Sequence, residues 1–187
     1  NDNQTILAGT SAPVRRINFQ SNGELDHHWF EQNIAWPQDA TIMEVDIFAI
    51  KQMLEKKGQI NSAVVSRKFP DELHIEVIER EPVLRARVRR NKKKIEEVYI
   101  ARDGTVYFHE SYKITKNKHL PYLDGVRFKQ NGDHIFSLSG IEIISQLLDL
   151  AKLNYPNIFK SWEVVSCKEF DELNGLSDEF IKVRSSI

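Results

Sequence analysis

The sharpest pattern along this chain is the alternation over Ser62 to Val83, SAVVSRKFPDELHIEVIEREPV. Ala63, Val65, Arg67 and Phe69 share one parity before Phe69-Pro70-Asp71, and Leu73, Ile75 and Val77 share the apolar parity after it. Successive strand side chains point to opposite faces, so this period predicts a half-buried hairpin. Pro70 presets a turn dihedral and Asp71 can bond its own backbone. Pro82 has no N–H and is expected to end the ladder. Upstream, Val14 to Gln20 alternates through Ile17 and Phe19 as a strand, and Ser21-Asn22-Gly23 signals a turn. Glu24 to Ile34 suits a short helix with Leu25, Trp29 and Phe30 inward. Asp46 to Lys57 has the clearest helical period, with Ile47, Ile50, Met53 and Leu54 in one apolar stripe. Asp46 suits the N-cap, Lys56 and Lys57 suit the negative end of the helix dipole, and Gly58 suits a left-handed position just beyond. The predicted order is strand, helix, helix, strand, strand.

After Pro82 the composition shifts. Arg85, Arg87, Arg89, Arg90, Lys92, Lys93 and Lys94 crowd into ten positions. This run reads as a strand edge and turn kept soluble by its charge, or as a contact for an anionic surface. Without interleaved aromatics it does not read as a nucleic-acid site. Val98 to Ala101 and Thr105 to Phe108 read as strands around Arg102-Asp103-Gly104. Leu120-Pro121-Tyr122-Leu123-Asp124-Gly125 reads as a rigid loop. A second helix is expected from Ser139, whose hydroxyl and Glu142 form a capping-box pattern, with Ile141, Ile144, Leu148 and Ala151 on one face and Pro156 after its end. Trp162 to Cys167 and Phe180 to Arg184 are the last strand candidates.

The 187 residues allow one medium domain or two small ones. Lys and Arg total 26 against 27 Asp and Glu, so a net charge of -1 gives no global attraction to nucleic acid or anionic lipid. The single cysteine, Cys167, excludes an internal disulfide. No run of about 18 apolar residues is present, as a spanning helix would need. The chain begins at Asn1 rather than Met, which leads us to expect a fragment or a processed chain.

Candidate chemistry is thin. His27 and His28 are adjacent, and neighbours on a helix do not face one site, so no metal is expected there. Cys167 could pair with His109 or His119 as a nucleophile, but it lacks a nucleophile signature and reads as a small hydrophobe on a strand. Asp71, Glu72, Glu76, Glu79 and Glu81 read as a solvated strand face rather than as a hydrolytic pair, with Glu79 placed to pair with Arg67 or Arg80. No phosphate-cradling glycine motif occurs. No catalytic, cofactor-binding or metal-binding residue is assigned.

The motifs of the hairpin resemble those of the FtsQ/DivIB bacterial cell-division family. Ile60, Ala63, Val65 and Arg67 match its "I-x-x-A-x-V-x-R" strand. Phe69-Pro70 with Leu73, Ile75 and Val77 matches "(F/Y)P-x-x-L-x-I-x-V", and Glu79-Arg80-Glu81-Pro82-Val83 matches "E-R-x-P-V". Tyr99 to Val106 and Leu120 to Gly125 are similar to two further motifs of its β domain. Leu84, where many members have Ala, and the close spacing of Asp103 and Gly104 depart from the pattern. The resemblance implies an α+β chain: a lead-in over 1–12, a POTRA domain of order β-α-α-β-β over 13–82, and a mixed β domain with one main helix over 83–187. It also implies that further strand follows Ile187.

As function, the resemblance implies a non-enzymatic scaffold. It would be the extracytoplasmic part of a bitopic inner-membrane protein at the division septum, anchored by a helix before Asn1. Its partners would be FtsB/DivIC-like and FtsL-like division proteins, with no cofactor, nucleic acid or small-molecule substrate. The family's partner edge points here to Phe180, Ile181, Lys182, Val183 and Arg184, pairing by strand addition. The alternatives are a POTRA module of an outer-membrane assembly or secretion system, and a hydrolytic envelope enzyme.

Overall fold

The computed structural model describes residues 12–37, 39–90, 94–110, 119–132, 134–168 and 182–185. The chain is α+β and divides into two compact units, Asn1–Glu79 and Arg80–Ile187.

The first unit contains β1 (Arg16–Ser21), α1 (His27–Asn33), α2 (Ile47–Glu55), β2 (Ile60–Lys68) and β3 (Glu72–Glu79). Its sheet runs β1-β3-β2. The expected hairpin is there: β2 and β3 pair antiparallel from Lys68↔Glu72 to Ile60↔Glu79. β1 joins β3 in parallel, from Arg16↔Glu72 to Ser21↔Val77. The chain therefore enters this unit beside the hairpin turn and leaves it at the opposite end of β3. Phe30, Ile50, Leu54, Ile60, Leu73 and Ile75 are buried in one apolar cluster between helices and sheet. Full burial of such a side chain is worth about 1.5–3 kcal/mol.

Polar contacts fix the elements. Asp26 caps α1 by accepting from Trp29 N–H at 2.9 Å, and Asp46 caps α2 by accepting from Phe48 and Ala49 N–H at 3.0 and 2.9 Å. Arg67 donates from Nε to the Ile42 carbonyl at 2.8 Å and from Nη2 to that of Val45 at 2.7 Å, tying β2 to the turn ahead of α2. Glu79 does not pair with Arg67 or Arg80 as expected. Its carboxylate accepts from Ser21 Oγ at 2.5 Å, Leu25 N–H at 2.7 Å and Gln59 Nε2 at 2.8 Å. Gly23 is needed beside it, because a Cβ there would lie 2.4 Å from the Glu79 carboxyl carbon. Gly58 is not left-handed; α2 ends at Lys56 in the right-handed region.

The second unit contains β4 (Pro82–Arg90), β5 (Lys94–Ala101), β6 (Val106–Tyr107), β7 (Tyr122–Asp124), β8 (Gln130–Asn131), β9 (His134–Ile135), α3 (Ile141–Asn154), α4 (Pro156–Phe159), β10 (Trp162–Ser166) and β11 (Lys182–Ser185). Six strands form one sheet in the order β11-β10-β7-β4-β5-β6, and β8 and β9 make a separate ladder. Leu84, Ala86 and Val88 of β4 cluster with Val98 and Ile100 of β5, Leu123, Val165 and the Ile141, Ile144 and Leu148 face of α3.

Several expectations change here. Pro82 begins a strand instead of only ending one, the position in a ladder that needs no N–H. The basic run does not lie at a sheet edge, because β4 sits between β7 and β5. Its first six residues lie within β4, with Lys94 at the start of β5, while Lys92 and Lys93 lie outside the described residues. Tyr122–Asp124 is a strand between β4 and β10 rather than a loop. α3 starts at Ile141 after Gly140, whose φ is 79°, and no side chain caps it, so the Ser139–Glu142 box does not form. Gly104 also has a positive φ, 78°, and a Cβ there would sit 2.0 Å from the Leu138 carbonyl oxygen.

Candidate functional site

Alternation along β4 decides what the basic run does. Leu84, Ala86 and Val88 turn into the core, so Arg85, Arg87 and Arg89 occupy the outer face. The strand register carries that face across the whole sheet. Tyr107 lies opposite Tyr99, Tyr99 opposite Arg85, Arg85 opposite Tyr122, Tyr122 opposite Val164 and Val164 opposite Arg184. One row thus links the basic run to the last described strand, about a hundred residues later.

Glu97 organises the centre of this row. Tyr122 Oη donates to its Oε2 at 2.6 Å and Tyr99 Oη to its Oε1 at 3.1 Å. Arg85 Nη1 lies 3.7 Å from the same carboxylate, and Arg85 Nε donates to the Leu120 carbonyl at 2.7 Å. Both Arg85 and Arg87 stack on Tyr122, with guanidinium carbons 4.2 and 5.0 Å from its ring centroid. Such contacts hold the charges in place at a cost far below that of burial.

Around this row lies an open concavity of about 930 Å³. Arg85, Arg87, Lys160, Lys168 and Arg184 line it, against the carboxylates of Asp124 and Glu163. Lys168 Nζ is 3.1 Å from Asp124, and Arg184 Nη2 is 3.4 Å from Glu163. The hydrogen bond from Lys168 holds the Asp124 carboxyl below its usual range, outweighing partial burial. The face is basic, aromatic and open, which suits recognition of a chain better than bond-breaking.

The structure sorts the expected site residues unevenly. Arg85, Arg87 and Arg184 come together on the concave face. Arg89 is exposed on the same strand, opposite Ile95. Arg90 leaves the row: its guanidinium carbon stacks 4.7 Å from the Phe108 ring centroid and its Nη1 lies 3.3 Å from Glu96, which Lys94 also pairs with at 3.2 Å. Lys182 and Val183 lie opposite Ser166 and Val165 in β11, the outermost strand among the described residues. Phe180 and Ile181, like Lys92 and Lys93, lie outside those residues. Sequence reasoning missed Glu97, Tyr122, Lys160 and Lys168. Only the register joins them, and no local spacing signals it.

Other candidates are dispersed. His27 Nε2 is 3.2 Å from Glu31, and His28 bonds Gln32 at 2.9 Å, each turned to its own i+4 neighbour. Glu72 faces Arg16 and Lys68, and Glu76 faces His74 at 2.6 Å. Cys167 is buried. Among the described residues no helix is long and apolar enough to cross a membrane.

A parallel strand laid beside an antiparallel hairpin, under two helices and in the order β-α-α-β-β, defines the first unit as a POTRA domain. Residues 12–80 match the family model described as "POTRA domain, FtsQ-type". The first unit is therefore an FtsQ-type POTRA domain, and the resemblance to the FtsQ/DivIB family holds. FtsQ-type domains are those of division-related, membrane-associated proteins that work through protein–protein interaction and are generally non-enzymatic. No curated protein matches the chain.

Proposed function

We propose that this protein is a non-enzymatic scaffold of the bacterial divisome. In this reading it is the extracytoplasmic part of a bitopic membrane protein, with residues 83–187 as the β domain that follows the POTRA domain. It binds FtsB/DivIC-like and FtsL-like proteins at the septum. The observation that carries the reading is the FtsQ-type match over residues 12–80. That match does not favour the outer-membrane assembly alternative.

The docking surface we propose is the β11 end of the six-stranded sheet, over Phe180, Ile181, Lys182, Val183 and Arg184. A strand at the edge of a sheet offers backbone donors and acceptors to an incoming strand. The basic row ending at Arg184 supports the same end of the sheet, and the anionic contact expected of the run fits Arg85 and Arg87 best. The test is co-purification with the FtsB-like and FtsL-like proteins of the same organism. Capture is expected to be lost with Val183→Pro and weakened with Arg184→Glu, an exposed site where the fold is retained. Undiminished capture by both variants removes this edge from the reading, and no capture by the wild-type chain removes the reading itself.

A further inference from the structure

The hairpin-turn end of the POTRA domain carries a group of large apolar side chains left in solvent. Met43 is 58% exposed, Phe48 73% and Phe69 69%. Among the described residues of this unit only Val64 and Ile78, both on the hairpin strands, are comparable. Single exposed hydrophobics are ordinary, but their concentration at one end is not. Three observations bring them to that end. Arg67 bonds the Ile42 and Val45 carbonyls, so the turn holding Met43 closes on the last residues of β2, two before Phe69. Phe48 sits in the first turn of α2, directly after that turn. The incoming chain also runs here, with Ile42 N–H donating to the Ala12 carbonyl at 2.9 Å and Arg15 N–H to that of Asp71 at 2.9 Å.

We infer that this end of the POTRA domain rests on the lipid bilayer surface, with Met43, Phe48 and Phe69 as its contacts. The inference rests on the reading of the chain as a membrane-associated division protein. In that reading the membrane segment lies on the N-terminal side of the domain, and residue 12, the first described, is bonded at this end. The chemistry favours apolar contact over attraction to anionic lipid, because Arg16 and Lys68, two of the cations near this end, each face a carboxylate. Arg16 lies 3.1 Å from Asp71, and Lys68 lies 3.9 Å from Glu72. The bilayer partner is therefore the acyl–headgroup boundary, entered by aromatic and thioether side chains.

The test tethers the whole chain by an N-terminal histidine tag to phosphatidylcholine vesicles carrying chelating lipid. An environment-sensitive fluorophore is placed at Met43→Cys, or at Val64→Cys as the control, in a Cys167→Ser background. Label at position 43 is expected to brighten and shift to the blue on tethering, equally at low and high salt, while label at position 64 does not. Phe48→Ser with Phe69→Ser is expected to reduce the shift several-fold while the unfolding midpoint stays close to wild type. Equal shifts at 43 and 64, or none, overturn the inference. So does a shift that appears without vesicles as protein concentration rises, which assigns the surface to a second copy. Partner co-purification is a separate readout, so failure here leaves the proposed function standing.

Discussion

Two glutamates, one in each unit, gather donors from distant parts of the chain, and they do different work. Glu79 collects a hydroxyl, a backbone N–H and a side-chain amide from three places between the first strand and the hairpin. Glu97 collects two tyrosine hydroxyls and a nearby guanidinium on an open sheet face. The first carboxylate closes a fold; the second arranges a surface. The lesson is that a donor-rich carboxylate marks neither catalysis nor stability by itself. What its donors would do without it decides which it serves. The Leu25 N–H would be stranded, whereas Tyr122 lines an open groove and its hydroxyl can turn to water.

The strongest way to break this comparison is to remove both groups. Glu79→Ala is expected to cost about 3 kcal/mol, since hydrogen bonds to a charged acceptor are worth about 1.5–3 kcal/mol and the orphaned donors add to the loss. Glu97→Ala is expected to cost less, about 1–1.5 kcal/mol, because its carboxylate is half-buried and the Tyr122 hydroxyl is free to rehydrate. Urea unfolding read by amide exchange in each unit checks both, and equal costs would sink the distinction.

Gly23→Ala comes next, at about 1–3 kcal/mol, because the added methyl collides with the Glu79 carboxylate. In a Glu79→Ala background most of this cost should vanish. Additive losses in the double variant would mean that the glycine answers to something other than close approach.

Tyr122→Leu is expected to cost about 1 kcal/mol in the second unit, from two stacked guanidinium groups and one hydroxyl. Amide protection near Arg85 and Arg87 should fall with it, and protection in the POTRA domain should not change.

Acid should separate the units least, but in a fixed direction. In the second unit Asp149 is held below the usual carboxylate range by its hydrogen bond from Arg102, Asp124 by that from Lys168, and Glu96 by that from Lys94. Burial pushes Asp103 up, but hydrogen bonds from Thr105 and Arg80 more than offset it. In the POTRA domain only Glu44, bonded by Thr41, shows such a shift among the described residues. A carboxyl lowered in the folded state stabilises above its unfolded pKa, and loses that contribution as pH falls through the folded one. As pH drops below about 4, the usual carboxylate range, the second unit should lose its unfolding midpoint faster than the first. These groups are mostly exposed, so the difference is small. A steeper loss in the POTRA domain would contradict it.

The hairpin and α2 were legible because each obeys a local rule: a period of two for Ala63, Val65 and Arg67, and an aspartate at the start of an apolar stripe for Asp46. The start of α3 was not, because Gly140 opens it through backbone conformation and Ser139 only looked like a cap. The interior place of β4 was missed for a different reason. Leu84, Ala86 and Val88 alternate correctly, but the arginines between them dominate the composition and draw attention to charge instead of period. The partners of Glu79 were beyond reach, since Ser21 and Leu25 lie 58 and 54 positions away and only the parallel placement of β1 brings them near. Of the concave face, Arg85, Arg87 and Arg184 could be named from the chain, but not that they share a surface. That follows from register, a property of pairs of strands and not of either alone.

The parallel β1–β3 pair has a mechanical consequence. Because the chain enters the POTRA domain at Arg16 and leaves it past Glu79, tension on its two ends pulls β1 and β3 along their own axes in opposite directions. The six registered pairs from Arg16↔Glu72 to Ser21↔Val77 then bear load together, in shear, instead of opening one after another like a zip. A module wired in this way can sit in series between two anchored points and transmit force before it yields.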